Sequence, residues 1–139
     1  MLLDTNVLSE VTRPAPDKRV LDWLDELDED RSFISVVSIA EIRPGVALMD
    51  EDRKRVALGE WLTRDLPHRF EQRGLPVDEK VALAWGDLIG LAKRHGRGLS
   101  SMDGLIAATA IARELTLATR NTRDFEGLGI ELFDPWTAP

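Results

Sequence analysis

Short apolar runs recur along this chain, each too brief to be a buried helix and each separated from the next by segments of helical or turn character. Leu2-Leu3, Phe33-Ile34, Leu75-Pro76-Val77, Thr116–Thr119 and Ile130–Phe133 read as strands, the third as a brief edge strand because Pro76 is poorly tolerated inside a sheet. Between them, Val20, Leu24 and Leu27 stand at the i, i+4, i+7 spacing behind Asp17, a residue suited to cap a helix. Further helices are predicted from Thr5 or Asn6 to Arg13, from about Ser35 or Ser38 to Met49, from about Glu51 to Leu66, from Asp78 through Ala92 with Gly96 and Gly98 ending it, and from Leu105 to Leu115. Ser100 and Asp103 form an S-x-x-D box that opens the last of these, and Asp124-Phe125-Glu126 reads as a short helical turn. Short strands alternating with helices imply βαβ units, a parallel sheet covered on both faces, and a three-layer α/β/α domain.

Such sheets carry their sites beyond the carboxyl ends of the strands. Asp4 and Asp124 fall just past two of these ends, and Asp103 heads a helix that opens onto the same edge. Most other acids lie in openly solvated runs, such as DWLDELDED at 22–30. Asp4, Glu41, Asp103 and Asp124 instead follow or interrupt apolar segments, where an ionised carboxylate costs several kcal/mol unless something neutralises it.

Each has a plain structural alternative. Asp4 could serve the positive end of the first helix, Asp103 could be only part of a capping box, and Asp124 could be a turn residue. Glu41 is harder to dismiss, because Val37, Ser38, Pro44 and Gly45 surround it at helical spacing with no charged partner. Carboxylates facing one another are neutralised by a hard divalent cation, Mg²⁺ or Mn²⁺, which would support hydrolysis of phosphate esters without a nucleophilic side chain. The histidines, His68 and His95, sit in charged, surface-like segments and do not suggest a zinc site.

Composition bounds the rest. With 139 residues the chain suits one domain, 1–139, and 43% hydrophobic with 31% charged residues places it among soluble globular proteins. The absence of cysteine excludes thiol catalysis and a disulfide scaffold. No basic leader precedes an apolar stretch, and the longest apolar run, LIAATAIA at 105–112, is far below a membrane span; a cytoplasmic protein without membrane contact is expected. The net charge of −7 argues against a general basic surface that grips nucleic acid, although positive charge is clumped at Arg53–Arg55, Lys93–Arg97 and Arg120 with Arg123. We read the first clump as a solvated face and the last as flanking the candidate site.

LLDTNVLSE at 2–10, FISVVSIAEIRPGV at 33–46, SSMDGLIAATA at 100–110 and LATRNTRDFEGLGIELFDPW at 117–136 together resemble the PIN-domain ribonucleases, and within them the VapC-type toxins of bacterial toxin–antitoxin modules. The resemblance covers essentially the whole chain. It implies a parallel sheet of about five strands and cleavage of RNA dependent on Mg²⁺ or Mn²⁺. It assigns metal-centred roles to Asp4, Glu41, Asp103 and Asp124, and supporting polar roles to Asn6, Thr119 and Asn121. It also implies a homodimer and a cognate antitoxin, a small DNA-binding protein that covers the active-site groove. Pro44 departs from the family pattern, removing one helix hydrogen bond a turn after Glu41.

Two other readings compete. A phosphatase of the haloacid-dehalogenase type would use Asp4 as nucleophile, but it wants a second acid where Asn6 stands. A catalytically inactive PIN-fold binding module would have no reason to keep four unpaired acids. Trp23, Leu24 and Leu27 with Val56 and Trp61 add an apolar surface expected to receive an antitoxin segment.

Overall fold

Leu2 and Leu3 form the first strand, β1, and enter two different cores. Successive side chains of a strand point to opposite faces. Leu2 therefore packs with Leu88, Ile106 and Leu117, whereas Leu3 packs with Val7, Ile34, Leu62 and Ala118. The computed structural model describes residues 1–137, and its sheet divides these two apolar cores.

After β1 come α1 (Thr5–Glu10), α2 (Lys18–Glu26), β2 (Ile34–Ser35), α3 (Val36–Ala47), α4 (Arg53–Glu60), α5 (Leu66–Arg69) and β3 (Gly74–Leu75). The chain continues as α6 (Glu79–Arg94), α7 (Ser101–Ala112), β4 (Leu117–Ala118), α8 (Thr122–Phe125) and β5 (Leu132–Phe133). Every strand pairing is parallel: β1 with β4, β4 with β5, and β2 with β3. A bridge between Leu2 and Phe33, with Leu3 N–H donating to the Phe33 carbonyl at 2.9 Å, joins the two sets in the order β3-β2-β1-β4-β5. The chain first winds outward from β1 through β2 to β3, then returns to place β4 on the other side of β1. The strand order thus reverses between β1 and β4, where open sheets of this kind leave a crevice.

Several elements differ from the expected bounds. Asp4 itself caps α1, which ends at Glu10 rather than Arg13 because Thr12 closes the turn with backbone and hydroxyl bonds to the Ser9 carbonyl. The helix expected over Glu51–Leu66 is interrupted by a π turn at Trp61–Asp65. Pro67 follows that turn and lacks the N–H that would continue the ladder to Thr63. α3 passes through Pro44 without a break; the carbonyl left unpaired belongs to the exposed Ala40. The expected apolar surface is largely spent on the core. Leu24 is buried, Trp23, Leu27 and Trp61 pack against the core cluster, and Trp23 stacks on Phe133 with centroids 5.3 Å apart. Val56 stays 61% exposed.

α6 and α7 cover one face together. A side chain at Gly104 would come within 2.9 Å of Trp85 Nε1, so glycine there permits the close approach of the two helices. This contact lies one residue after Asp103 and fixes where the head of α7 stands against α6.

Candidate active site

β1 ends by delivering Asp4 into the crevice between β1 and β4. Its Oδ1 accepts from the Thr5 N–H at 2.7 Å, satisfying one of the free donors at the start of α1. Its Oδ2 accepts from the Thr119 hydroxyl, just past the end of β4, also at 2.7 Å. Thr119 is fully buried and Asp4 is 3% exposed. The capping role and the buried role are thus the same residue.

Glu41 reaches the same place from α3. The distant partner that its sequence surroundings called for is Thr5, whose hydroxyl donates to Glu41 Oε1 at 2.7 Å and is hydrogen-bonded to the buried Ser38 Oγ at 2.9 Å. Asp103 arrives on the first turn of α7. Its backbone N–H donates to the capping Ser100 Oγ at 3.2 Å, while among the described residues its carboxylate accepts no hydrogen bond. Only half of the expected capping box forms, and the Asp103 carboxylate remains free.

Asp4, Thr5, Asn6, Glu41, Asp103 and Asn121 line one depression of about 210 Å³. Asn6 spans its floor: Nδ2 donates to Thr119 Oγ1 at 3.3 Å, and Oδ1 accepts from the Arg120 N–H at 3.3 Å. Asn121 N–H donates to Thr119 Oγ1 at 3.1 Å. The supporting residues Asn6, Thr119 and Asn121 therefore form one network around Asp4. Asp124 stands apart. It is exposed on α8 and does not line the depression. Arg120, expected to flank the site, lies over the Trp136 ring at 5.2 Å.

Burial pushes the Asp4 carboxyl from its ordinary 3.8 up to about 6. The hydrogen bonds from Thr119 and Thr5 oppose this, and the charges of Asp103 and Glu41 add to it. Glu10 offers a contrast that the sequence pattern did not single out. It is 2% exposed, yet Arg13 lies 3.1 Å from its carboxylate. The lining of the depression holds three carboxylates and no cation.

A hard divalent ion suits such oxygen donors. Among the described residues no group of three acidic or histidine side chains is preset around a single ion position. Mg²⁺ keeps several waters and needs only one or two carboxylates beside substrate phosphates, so the buried Asp4 and the free Asp103 fit it as a donor pair. Thr5 and Ser38 were not singled out as site residues in the sequence. Ser38 lies one helical turn before Glu41 and Thr5 directly follows Asp4, so spacing offered a signal for both.

A family model described as PIN domain matches residues 1–130. The toxin FitB of Neisseria gonorrhoeae is 43% identical over 136 residues, covering 98% of each chain. VapC ribonuclease Y4jK of Sinorhizobium fredii is 35% identical over 136 residues, covering 98% of this chain and 97% of that protein. Among solved structures, one of FitAB bound to a DNA fragment superimposes with a TM-score of 0.93 at 40% identity, over 99% of this chain and 96% of the other. Among the described residues no helix is long and apolar enough to cross a membrane.

Proposed function

Because this chain belongs to the PIN-domain family, we propose that it is the toxin of a toxin–antitoxin pair and hydrolyses RNA phosphodiester bonds with Mg²⁺ or Mn²⁺ at the depression lined by Asp4, Glu41 and Asp103. The observation that carries this reading is a buried carboxyl, Asp4, raised to about 6 beside two further acids with no cation in the lining. An unpaired carboxylate so placed is costly to the fold and is explained by a ligand that brings positive charge.

When bound, the ion supplies Lewis-acid stabilisation of charge developing on the phosphodiester. Asp4 and Asp103 would hold it. The Thr119 hydroxyl and Thr5 N–H fix the aim of Asp4, so little reorganisation is needed when substrate arrives. Glu41, oriented by the Thr5 hydroxyl, would accept a proton from the attacking water. Asp124 is the fourth acid, exposed on the segment that follows Asn121, and would act from outside the depression.

The partner is a cognate antitoxin. FitB is a named toxin, FitAB has been seen on DNA, and the similarity to both extends over nearly the whole chain. A phosphatase built on Asp4 gains no support from the site, since Asn6 is engaged with Thr119 and Arg120 and supplies no second acid.

The test is cleavage of cellular RNA by the purified protein with Mn²⁺ or Mg²⁺. Cleavage that EDTA stops and Asp103→Asn removes supports the reading. Cleavage indifferent to EDTA, or retained by Asp103→Asn in a preparation free of contaminating nuclease, sinks it. Co-purification with the protein encoded next to it, with cleavage suppressed, tests the partner.

A further inference from the structure

Arg97 leaves the end of α6 at a point its backbone fixes. Gly96 takes the left-handed conformation, φ 66°, and two backbone bonds close the helix on it: Gly96 N–H to Lys93 at 3.1 Å and Arg97 N–H to Ala92 at 2.8 Å. From there the guanidinium crosses to α8. Nη2 donates to the carbonyls of Arg123 and Asp124, each at 2.9 Å, and Nη1 donates to the carbonyl of Glu126.

α8 needs such a partner. It has four residues and no side-chain cap at its start. Its last carbonyls are orphaned, and two glycines with positive φ, Gly127 at 76° and Gly129 at 79°, follow at once. So short a helix has almost no stability of its own. Phe125, in the core, is its apolar anchor, while Thr122 is half-buried and Arg123 and Asp124 are exposed. The planar fork of an arginine meets several carbonyls at once, which a lysine ammonium does less well.

We propose that Arg97 is a positioning residue for cleavage: by holding three carbonyls around α8 it fixes Asp124 on the segment that directly follows Asn121, which itself lines the acid-lined depression. This rests on the nuclease reading above. Arg97 acts through backbone, so its removal leaves the Asp4–Thr119–Thr5 network whole.

The test pairs a structural readout with a kinetic one, using the whole chain. In hydrogen exchange, Arg97→Ala should raise the rate for the peptide spanning 120–128 and leave peptides of β1 and α1 unchanged. In Mn²⁺-dependent RNA cleavage, Arg97→Ala should lower kcat about tenfold or more with KM little changed, as is usual for residues that orient a metal site from outside it. Arg97→Lys should recover part of the loss. In the Asp124→Asn background, Arg97→Ala should add much less than its effect alone, because both changes act through Asp124. Unaltered exchange at 120–128 overturns the proposal. So does a full multiplicative loss in the double variant, which would place the effect of Arg97 elsewhere. Wild-type protein inert toward RNA under every metal condition would instead sink the nuclease reading and the catalytic half of this one, while the exchange result would still decide whether Arg97 holds α8.

Discussion

Asp4 and Asp124 each follow a strand that leaves the same edge of the sheet, but only Asp4 is drawn inside. At the β1–α1 corner the acid is 3% exposed, caps its own helix and accepts from Thr119 across the crevice. At the β4–α8 corner the acid is exposed, and the contacts that hold its segment are made by backbone carbonyls with Arg97. The first corner tunes a charge by burial. The second fixes a position and leaves the charge in water. The two acids should therefore fail differently.

The largest separation is expected in catalysis. Asp4→Asn removes the buried acid proposed to hold the ion, a role whose share of transition-state stabilisation would be about several kcal/mol, so cleavage should fall about a thousandfold or more. Asp124→Asn removes a solvated acid and should cost about tenfold to a hundredfold. Initial rates on one RNA at saturating Mn²⁺ decide this; equal losses, or the reverse order, would break the comparison.

The corners should separate next in pH dependence of stability without metal. Between about pH 4 and about pH 6 folded Asp4 holds a proton that the unfolded chain has already released, so stability falls as pH rises through that window and levels off above it. The gap from 3.8 to about 6 corresponds to about 3 kcal/mol. Urea unfolding in EDTA at the two ends of the window should show this fall relative to Asp4→Asn, which lacks the titration. Asp124→Asn keeps Asp4 and should keep this fall. A wild-type profile parallel to that of Asp4→Asn would mean that burial does not burden Asp4.

A smaller gain comes from the ion itself. An ion that binds only the folded state stabilises it by about 2.7 kcal/mol at a hundred times its Kd, so Mg²⁺ or Mn²⁺ should raise Tm. The rise should vanish in a variant lacking both Asp4 and Asp103, and persist in Asp124→Asn. If the double variant kept the full rise, the ion would be bound elsewhere, the acidic runs at Asp28–Asp30 or Asp50–Asp52 being the next places to look.

Much of the first corner was legible in the sequence. Two leucines followed by an acid and helix-capping residues announce a buried strand end, and the alternation of strands and helices gave the parallel three-layer fold with its site at the carboxyl edge. Glu41 was recognisable as an acid lacking a local partner, which proved to be Thr5 on another helix. The second corner was less legible. Spacing indicated the turn at Asp124 but not its exposure, because a four-residue helix has no face periodicity to say which way it turns. Arg97 was hidden in the basic clump Lys93–Arg97, to which the sequence assigned no role, since a guanidinium bound to backbone carbonyls leaves no trace in side-chain patterning. The π turn at Trp61–Asp65 was likewise missed, because hydrophobic spacing does not distinguish it from the helix it interrupts.

The smallest expected effect isolates how Glu41 is aimed. The Thr5 hydroxyl donates to Glu41, whereas Thr5 supports Asp4 through its backbone N–H. Thr5→Val keeps the shape and the backbone donor and removes only the hydroxyl, so Asp4 should keep its environment while Glu41 loses its orienting bond. A hydrogen bond of this kind contributes about 1 kcal/mol, and cleavage should fall about fivefold if its whole contribution is felt in the transition state. Ser38 loses the same partner, so Ser38→Ala combined with Thr5→Val should cost little more than Thr5→Val alone. The metal-dependent rise in Tm should survive, because Asp4 and Asp103 are untouched. A loss as deep as that of Asp4→Asn, together with loss of the Tm rise, would mean that the hydroxyl supports the ion ligands themselves, and that Glu41 and Asp4 form one inseparable unit rather than two acids aimed by different atoms of the same threonine.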